Sequence, residues 1–179
     1  MPLLKNQAAT IEDIYNLPQG QRAELIDGEL QMMAPPSTRH QMLLNLINVQ
    51  IYNYIQTRQG KCQVLPAPFA VFLKDEDGQE NYVEPDLSVI CDPEKLDEKG
   101  CHGAPDWVIE IVSPSSKTMD YGRKSNLYYK AGVREYWIVD PMRDMVVFYR
   151  SSEGWIPEFA RFGEKIKAEI YEDLEIVIQ

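Results

Sequence analysis

The chain has 179 residues, of which 44% are hydrophobic and 26% charged. Those are globular proportions, enough for one sizeable core and unlike a disordered chain. The 18 Lys+Arg stand against 28 Asp+Glu, for a formal net charge of −10, which argues against a polyanion binder held by bulk charge. No apolar run approaches the roughly 20 residues of a membrane span. Residues 1–7 lack the basic start and apolar core of a signal peptide, so a cytoplasmic protein is expected. Cys62, Cys91 and Cys101 are odd in number and match no CxxC spacing. They read as ordinary thiols rather than a disulfide framework or metal ligands.

In chain order, Thr10–Leu17 reads as a short helix with Thr10 as N-cap and Pro18 beyond its end. Arg22–Met33 reads as a hairpin turning at Asp27-Gly28, with residue 25 opposite 30 and 23 opposite 32. That register puts Ala23, Leu25, Leu30 and Met32 on one face and Glu24, Glu29 and Gln31 on the other. A long helix is expected over about Thr38–Gln59, with an apolar stripe of Met42/Leu43, Leu46/Ile47, Val49/Gln50 and Tyr54. Cys62–Leu73 reads as an edge or bent strand with Pro66 and Pro68 in it, Asp75–Gln79 as a charged turn, and Tyr82–Ile90 as a strand. Cys91–Gly103 is a charged loop. Asp106–Val112 is a strand, and Ser115–Ala131 a helix closed by Gly132. Val133–Val139 and Met145–Arg150 are strands, and the tail from Trp155 is further β structure. The order implies an α/β fold, a central mixed β-sheet flanked by helices, as a single domain over residues 1–179.

Chemistry centres on the strand at 107–112. It is apolar on both faces except for Glu110. A fully buried strand reads as a continuous apolar run, and an unpaired carboxylate inside it costs several kcal/mol or becomes neutral. A cation, a metal or a set of hydrogen bonds must compensate. A plain buried ion pair is one reading and a functional acid the other. Asp86, at the start of an apolar strand, shares a face with Glu84, Ser88 and Ile90 by alternation. On the helix after Glu110, Tyr121, Lys124, Tyr128 and Ala131 recur at three- and four-residue spacing on a stripe that faces the sheet. Lys124 on that stripe either snorkels or pairs with Glu110. Two carboxylates on neighbouring strands plus a lysine suit metal-assisted phosphodiester hydrolysis. Hard oxygens select Mg²⁺ or Mn²⁺, and the lysine can position water and offset developing charge.

The segments 24–29 (Glu-Leu-Ile-Asp-Gly-Glu), 33–37 with His40, Glu84-Pro-Asp86, 105–110, 113–115, Asp120, Lys124, Tyr128 and 132–141 together resemble the Uma2 family of restriction-endonuclease-like proteins. The resemblance spans nearly the whole chain. It implies the PD-(D/E)xK nuclease fold, with an N-terminal hairpin and a C-terminal β extension here. It also implies a divalent-metal-dependent DNA endonuclease. Asp86 matches the superfamily's aspartate and Glu110 its glutamate. The lysine of Glu-x-Lys would fall at Val112, and the resemblance implies that Lys124 has taken over its role. The Ile111 carbonyl would be a third metal ligand. His40, Glu24 and Glu29 are second-tier site residues by the same resemblance, the bland reading of the two glutamates being a solvated hairpin face. Glu135, Trp137 and Asp140 are expected to shape the sheet and its turn.

Lys117, Arg123 and Lys130, near Lys124, are candidate phosphate contacts, or simply a solvated helix face. The expected partners are DNA and a second copy of the chain, because cutting two strands needs two sites and twofold pairing is the commonest assembly. No small-molecule cofactor is expected. The charge is unevenly spread: residues 74–114 carry a net −9 and residues 115–150 a net +3. An acidic metal-binding pole beside a basic helix would account for that pattern. The alternatives are a catalytically degenerate nucleic-acid-binding or interaction protein on the same fold and, less favoured, a carboxylate-dyad glycosidase, which needs neither lysine nor metal.

Overall fold

The computed structural model describes residues 8–75 and 78–179. The expectation for residues 1–7, and the middle of the turn expected at Asp75–Gln79, lie outside the described residues. The short helix α1 (Ile11–Tyr15) begins where the Asp13 carboxylate accepts the Thr10 N–H at 2.7 Å. Strands β1 (Ala23–Ile26) and β2 (Glu29–Met32) then pair antiparallel in the expected register, Leu25 opposite Leu30 and Ala23 opposite Met32. Asp27 and Gly28 both take positive φ, 52° and 75°, as a two-residue hairpin turn requires. The expected split into a buried and a solvated face does not hold for β1, which is buried throughout, Glu24 included. β1 lies between β2 and β5 within the five-stranded sheet, and Glu24 is covered by Lys124 and the Glu84 backbone.

Helix α2 (Thr38–Thr57) is capped by Ser37, whose Oγ accepts the His40 N–H at 3.2 Å. Its docked face is Leu43, Ile47, Ile51 and Ile55. Leu43 and Ile47 belong to the expected stripe, whereas its partners Met42, Leu46 and Val49 are exposed. The helix is apolar on more than one side, so spacing alone does not select the docked face. The isoleucine ridge is the one that meets Leu87, Val89 and Trp107 of the sheet.

The two apolar segments read as single strands each break in two. The first gives β3 (Gln63–Pro66) and β4 (Val71–Lys74), with a cis Ala67–Pro68 peptide between them. The second gives β5 (Glu80–Val83) and β6 (Leu87–Ile90), with Glu84-Pro85-Asp86 between them. β3 pairs with β6 and β4 with β5, so the segment is one long hairpin bent in the middle. Proline removes a ladder donor where each strand leaves its sheet. The face expected to be shared by Glu84, Asp86, Ser88 and Ile90 is therefore interrupted. The loop expected at Cys91–Gly103 contains a 3₁₀ turn, Pro93–Lys95, and β7 (Cys101–His102). Gly100 must be glycine there: a Cβ would lie 2.3 Å from the Ala70 carbonyl oxygen. Cys62 and Cys91, read as free thiols, instead form a disulfide beside the β3–β6 pair, because antiparallel register sets them opposite each other. Cys101 is free and buried.

The remaining elements are β8 (Trp107–Ile111), a π-helical turn Met119–Lys124 running into α3 (Ser125–Ala131), β9 (Glu135–Asp140), β10 (Met145–Arg150), β11 (Glu158–Arg161), β12 (Lys165–Lys167) and β13 (Glu175–Val177). The central sheet is six-stranded in the order β11-β10-β9-β8-β6-β3. It is mixed, with β8 parallel to β9 and antiparallel to β6. α2 and the C-terminal pair β12–β13 cover one face. α3 and the five-stranded sheet β2-β1-β5-β4-β7 cover the other. β8 is buried at every position, as expected for the strand carrying Glu110. Among the described residues no helix is long and apolar enough to cross a membrane.

Candidate active site

Glu110 projects from β8 toward the side of the sheet that bears Val108, Tyr136 and α3. There Lys124 Nζ donates to Glu110 Oε1 at 2.9 Å, and Tyr128 Oη donates to the same oxygen at 2.7 Å. The helical-stripe expectation for Lys124 and Tyr128 thus matches the observed placement. Lys124 is 4% exposed and has two further carboxylates: Glu24 Oε2 at 2.8 Å and Asp120 Oδ1 at 3.7 Å. Glu24 in turn accepts the Glu84 N–H at 2.9 Å. Glu84 is bonded by Tyr82 Oη at 2.7 Å and paired with Arg22. The hairpin, the link between β5 and β6, and β8 are tied together through these carboxylates.

Asp86 lines the same cleft as Glu110. Its Oδ2 accepts the Ile111 N–H at 2.7 Å and meets His40 Nε2 at 3.1 Å. His40 sits in the first turn of α2, so the helix start is fixed against the link that carries Asp86. These residues line a cleft of about 890 Å³ together with Arg22, Arg39, Ser113 and Ser116. Of the candidate site residues, Glu24, His40, Asp86, Glu110, Ile111 and Lys124 line it. Glu29 does not; it is exposed and pairs with Arg123 at 2.6 Å. Lys117, Arg123 and Lys130 do not line it either. Arg123 and Lys130 border a small recess of about 30 Å³ near Lys74 and Asp75. Glu135 is remote from the cleft and binds the Glu169 and Ile170 N–H groups.

The electrostatics follow from burial. Burial alone would lower the Lys124 ammonium, but Glu110, Glu24 and Asp120 together outweigh it and hold it well above its ordinary value. Burial pushes Glu110 upward against the pull of Lys124, and Asp120 is pushed up to about 6 for the same reason. Glu110 and Asp120 therefore hold protons more tightly than exposed carboxyls do. His40 is raised: burial opposes its charging, and the Asp86 bond and charge outweigh burial.

Sequence reasoning did not single out the cleft roles of Asp120, Arg22 and Arg39. Asp120 was legible in principle, four residues before Lys124 on one helical face. The π-helical turn, held by Tyr136 Oη on the Asp120 carbonyl at 3.0 Å, sets where that pair lies, and spacing does not predict such turns.

The donor set suits a hard cation. Among the described residues, Glu110 Oε2 and Asp86 Oδ1 take no hydrogen bond, since Lys124 and Tyr128 share Oε1 and Ile111 and His40 share Oδ2. Asp120 Oδ1 is buried without a hydrogen-bond partner. No cluster of three His, Cys, Asp or Glu side chains converges at metal-ligand spacing among those residues.

Three comparisons bear on the chain as a whole. It is similar to "Uncharacterized protein slr1290" from Synechocystis sp. PCC 6803, 24% identical over 141 residues, covering 77% of this chain and 72% of that protein. Its fold is similar to the crystal structure of a "putative nuclease belonging to DUF820" from Anabaena variabilis. That match has a TM-score of 0.69 at 20% identity and covers 90% of this chain and 89% of the other. The family model Uma2, described as "Putative restriction endonuclease", matches residues 11–179. With the match running over nearly its whole length, the chain belongs to the Uma2 family.

Proposed function

We propose that this chain is a divalent-metal-dependent DNA endonuclease that hydrolyses phosphodiester bonds. The observation that supports it most is the Lys124 ammonium, buried and held 2.9 Å from Glu110 in a cleft that Asp86 also lines. In this reading Asp86, Glu110 and the Ile111 carbonyl hold Mg²⁺ or Mn²⁺. When bound, that ion would supply Lewis-acid polarisation and a more acidic water. Lys124 orients the attacking water and offsets charge gathering on the phosphate oxygens. Tyr128 and Glu24 fix Lys124 and Glu110 in place. His40 fixes Asp86.

The cleft carries Glu24, Glu84, Asp86, Glu110 and Asp120 against Arg22, Arg39 and Lys124. Without a metal it repels a polyanion, so DNA affinity should depend on the metal and fall with salt. Metal binding should also release protons held by Glu110 and Asp120. Lys117 and Arg123 are each next in sequence to a cleft-lining residue, Ser116 and Lys124, but Arg123 is engaged by Glu29. DNA as substrate, pairing of two copies and a cytoplasmic setting belong to the same reading. The Cys62–Cys91 bridge pulls against that setting, because cytosolic thiols are kept reduced.

The test is nicking of supercoiled plasmid with Mg²⁺ or Mn²⁺. The native chain should nick, and Asp86→Ala and Glu110→Ala should each abolish it; cleavage surviving in both variants removes the assignment. A second reading is a catalytically degenerate binding protein, favoured by the enclosure of Lys124 among three carboxylates. Calorimetry with Mn²⁺ separates the two. Binding with proton release, lost in Asp86→Ala, supports the nuclease, and no binding at millimolar metal supports the degenerate protein.

A further inference from the structure

The outward face of α2 is unusual for a solvated helix. Between Arg39 and Arg58 the helix has His40 but no Asp, Glu, Lys or Arg. At the chain's 26% share of charged residues, such a stretch would carry about four or five. A surface helix normally puts charge opposite its docked stripe. Here the position directly opposite Leu43, Ile47, Ile51 and Ile55 is taken by apolar side chains and amides. Met42, Leu46, Val49 and Tyr52 are 68%, 37%, 45% and 52% exposed. Asn45 and Asn53 are exposed between them. The two arginines that bound the stretch are already neutralised within the chain, Arg39 by Asp144 and Arg58 by Asp173.

We propose that this face binds the same face of a second copy, with the two α2 helices antiparallel about a twofold axis near Val49. Charge selects the occupant. Two copies of a chain with net charge −10 repel each other over most orientations. They can meet without juxtaposing like charges where neither presents any. A patch of Met, Tyr and aliphatic side chains with few charges has the composition of an interface centre. The face is the same on both copies, as a twofold contact requires. Antiparallel packing also sets each helix N-terminus beside the other's C-terminus, so the macrodipoles attract.

At 1.5 Å per residue the 20-residue helix is about 30 Å long and roughly 10 Å wide. That footprint is smaller than the roughly 800 Å² per partner of a standard interface. The pair is therefore weak and concentration-dependent. The same rise puts the two copies of residue 42 about 21 Å apart along the axis, and the two copies of residue 49 beside each other.

Sedimentation of the native chain over micromolar concentrations should follow a monomer–dimer equilibrium. Val49→Lys should weaken it by more than about 100-fold, because a lysine buried without a partner is costly. Phe159→Lys, at a 75% exposed residue on β11, should leave it unchanged. Cysteine variants report the orientation, since the only free native thiol among the described residues, Cys101, is buried. Val49→Cys should join two copies on mild oxidation, and Met42→Cys should not. A monomer throughout, a dimer untouched by Val49→Lys, or cross-linking through residue 42 rather than 49 would each overturn the proposal. None of these readouts depends on nuclease activity.

Discussion

Lys124 Nζ lies 2.8 Å from Glu24 Oε2, although the first belongs to a π-helical turn and the second to the N-terminal hairpin. Both side chains are about 95% buried, so neither charge has water to fall back on. Removing one partner of such a pair typically costs about 3–5 kcal/mol, because the other is left buried and unpaired. Lys124→Ala should cost that much in urea unfolding at neutral pH, since it strands three carboxyls. Glu24→Ala should cost less, because Glu110 and Asp120 still face the ammonium. The Lys124→Ala loss should shrink on acidification, as the stranded carboxyls take up protons that the folded state now binds more tightly than the unfolded one. A loss independent of pH would contradict the ion-pair account.

The placement of basic side chains predicts an order of DNA affinity. Arg39 lines the cleft and is tied to an exposed Asp144 carboxylate, so it can exchange that partner for phosphate at little cost. Lys130 lies outside the cleft. Arg39→Ala should weaken metal-dependent DNA binding and reduce the salt slope by about 1. Lys130→Ala should change neither. Equal effects in filter binding at several salt concentrations would put the DNA on another surface.

Glu135 predicts a pH dependence of stability. It is fully buried and accepts from Trp137 Nε1, Glu169 N and Ile170 N. Burial nevertheless pushes its carboxyl up to about 7 from 4.5. The folded state therefore binds its proton more tightly than the unfolded state. The contribution is fully present below about pH 4.5, declines as pH rises, and is lost above about 7. At 1.36 kcal/mol per pKa unit the span is about 3 kcal/mol. Glu135→Gln should remove that part of the slope between pH 4.5 and 7. An unchanged slope in the difference between native and variant would exclude Glu135 as its source.

The Cys62–Cys91 bridge closes a separation of 29 residues. Loop entropy for that length gives about 3–4 kcal/mol, less any relaxation of the unfolded chain. Adding a strong reductant should lower the unfolding midpoint by a corresponding amount, and Cys62→Ser should reproduce the loss. A midpoint indifferent to reductant, with free thiols found by alkylation of the native protein, would place the pair in the reduced state and favour a reducing compartment.

What was readable in the sequence was local. The hairpin register followed from Asp27-Gly28, and the meeting of Lys124 with Glu110 followed from helical spacing beside a buried strand. What escaped was allocation between layers. Cys62–Leu73 and Tyr82–Ile90 are each apolar and β-forming along their length, and nothing in a two-residue period says that half of each joins a different sheet. The bland reading of Glu24 as part of a solvated hairpin face fails for a related reason, since Lys124 and the Glu84 N–H that enclose it come from distant parts of the chain. The docked ridge of α2 was ambiguous because its outward face is also apolar.

The bend itself has a consequence for where the chain tolerates change. Ala67 N donates to the Asp86 carbonyl at 3.0 Å, so the two crossings between sheets are stitched to each other at the level of the cleft floor. Lengthening either crossing moves Asp86 away from Glu110 even if both sheets survive intact. An added peptide between Pro66 and Val71, or between Val83 and Leu87, is thus poorly accommodated. The exposed Ser151–Gly154 turn, remote from the seam, is the natural place for a tag or reporter.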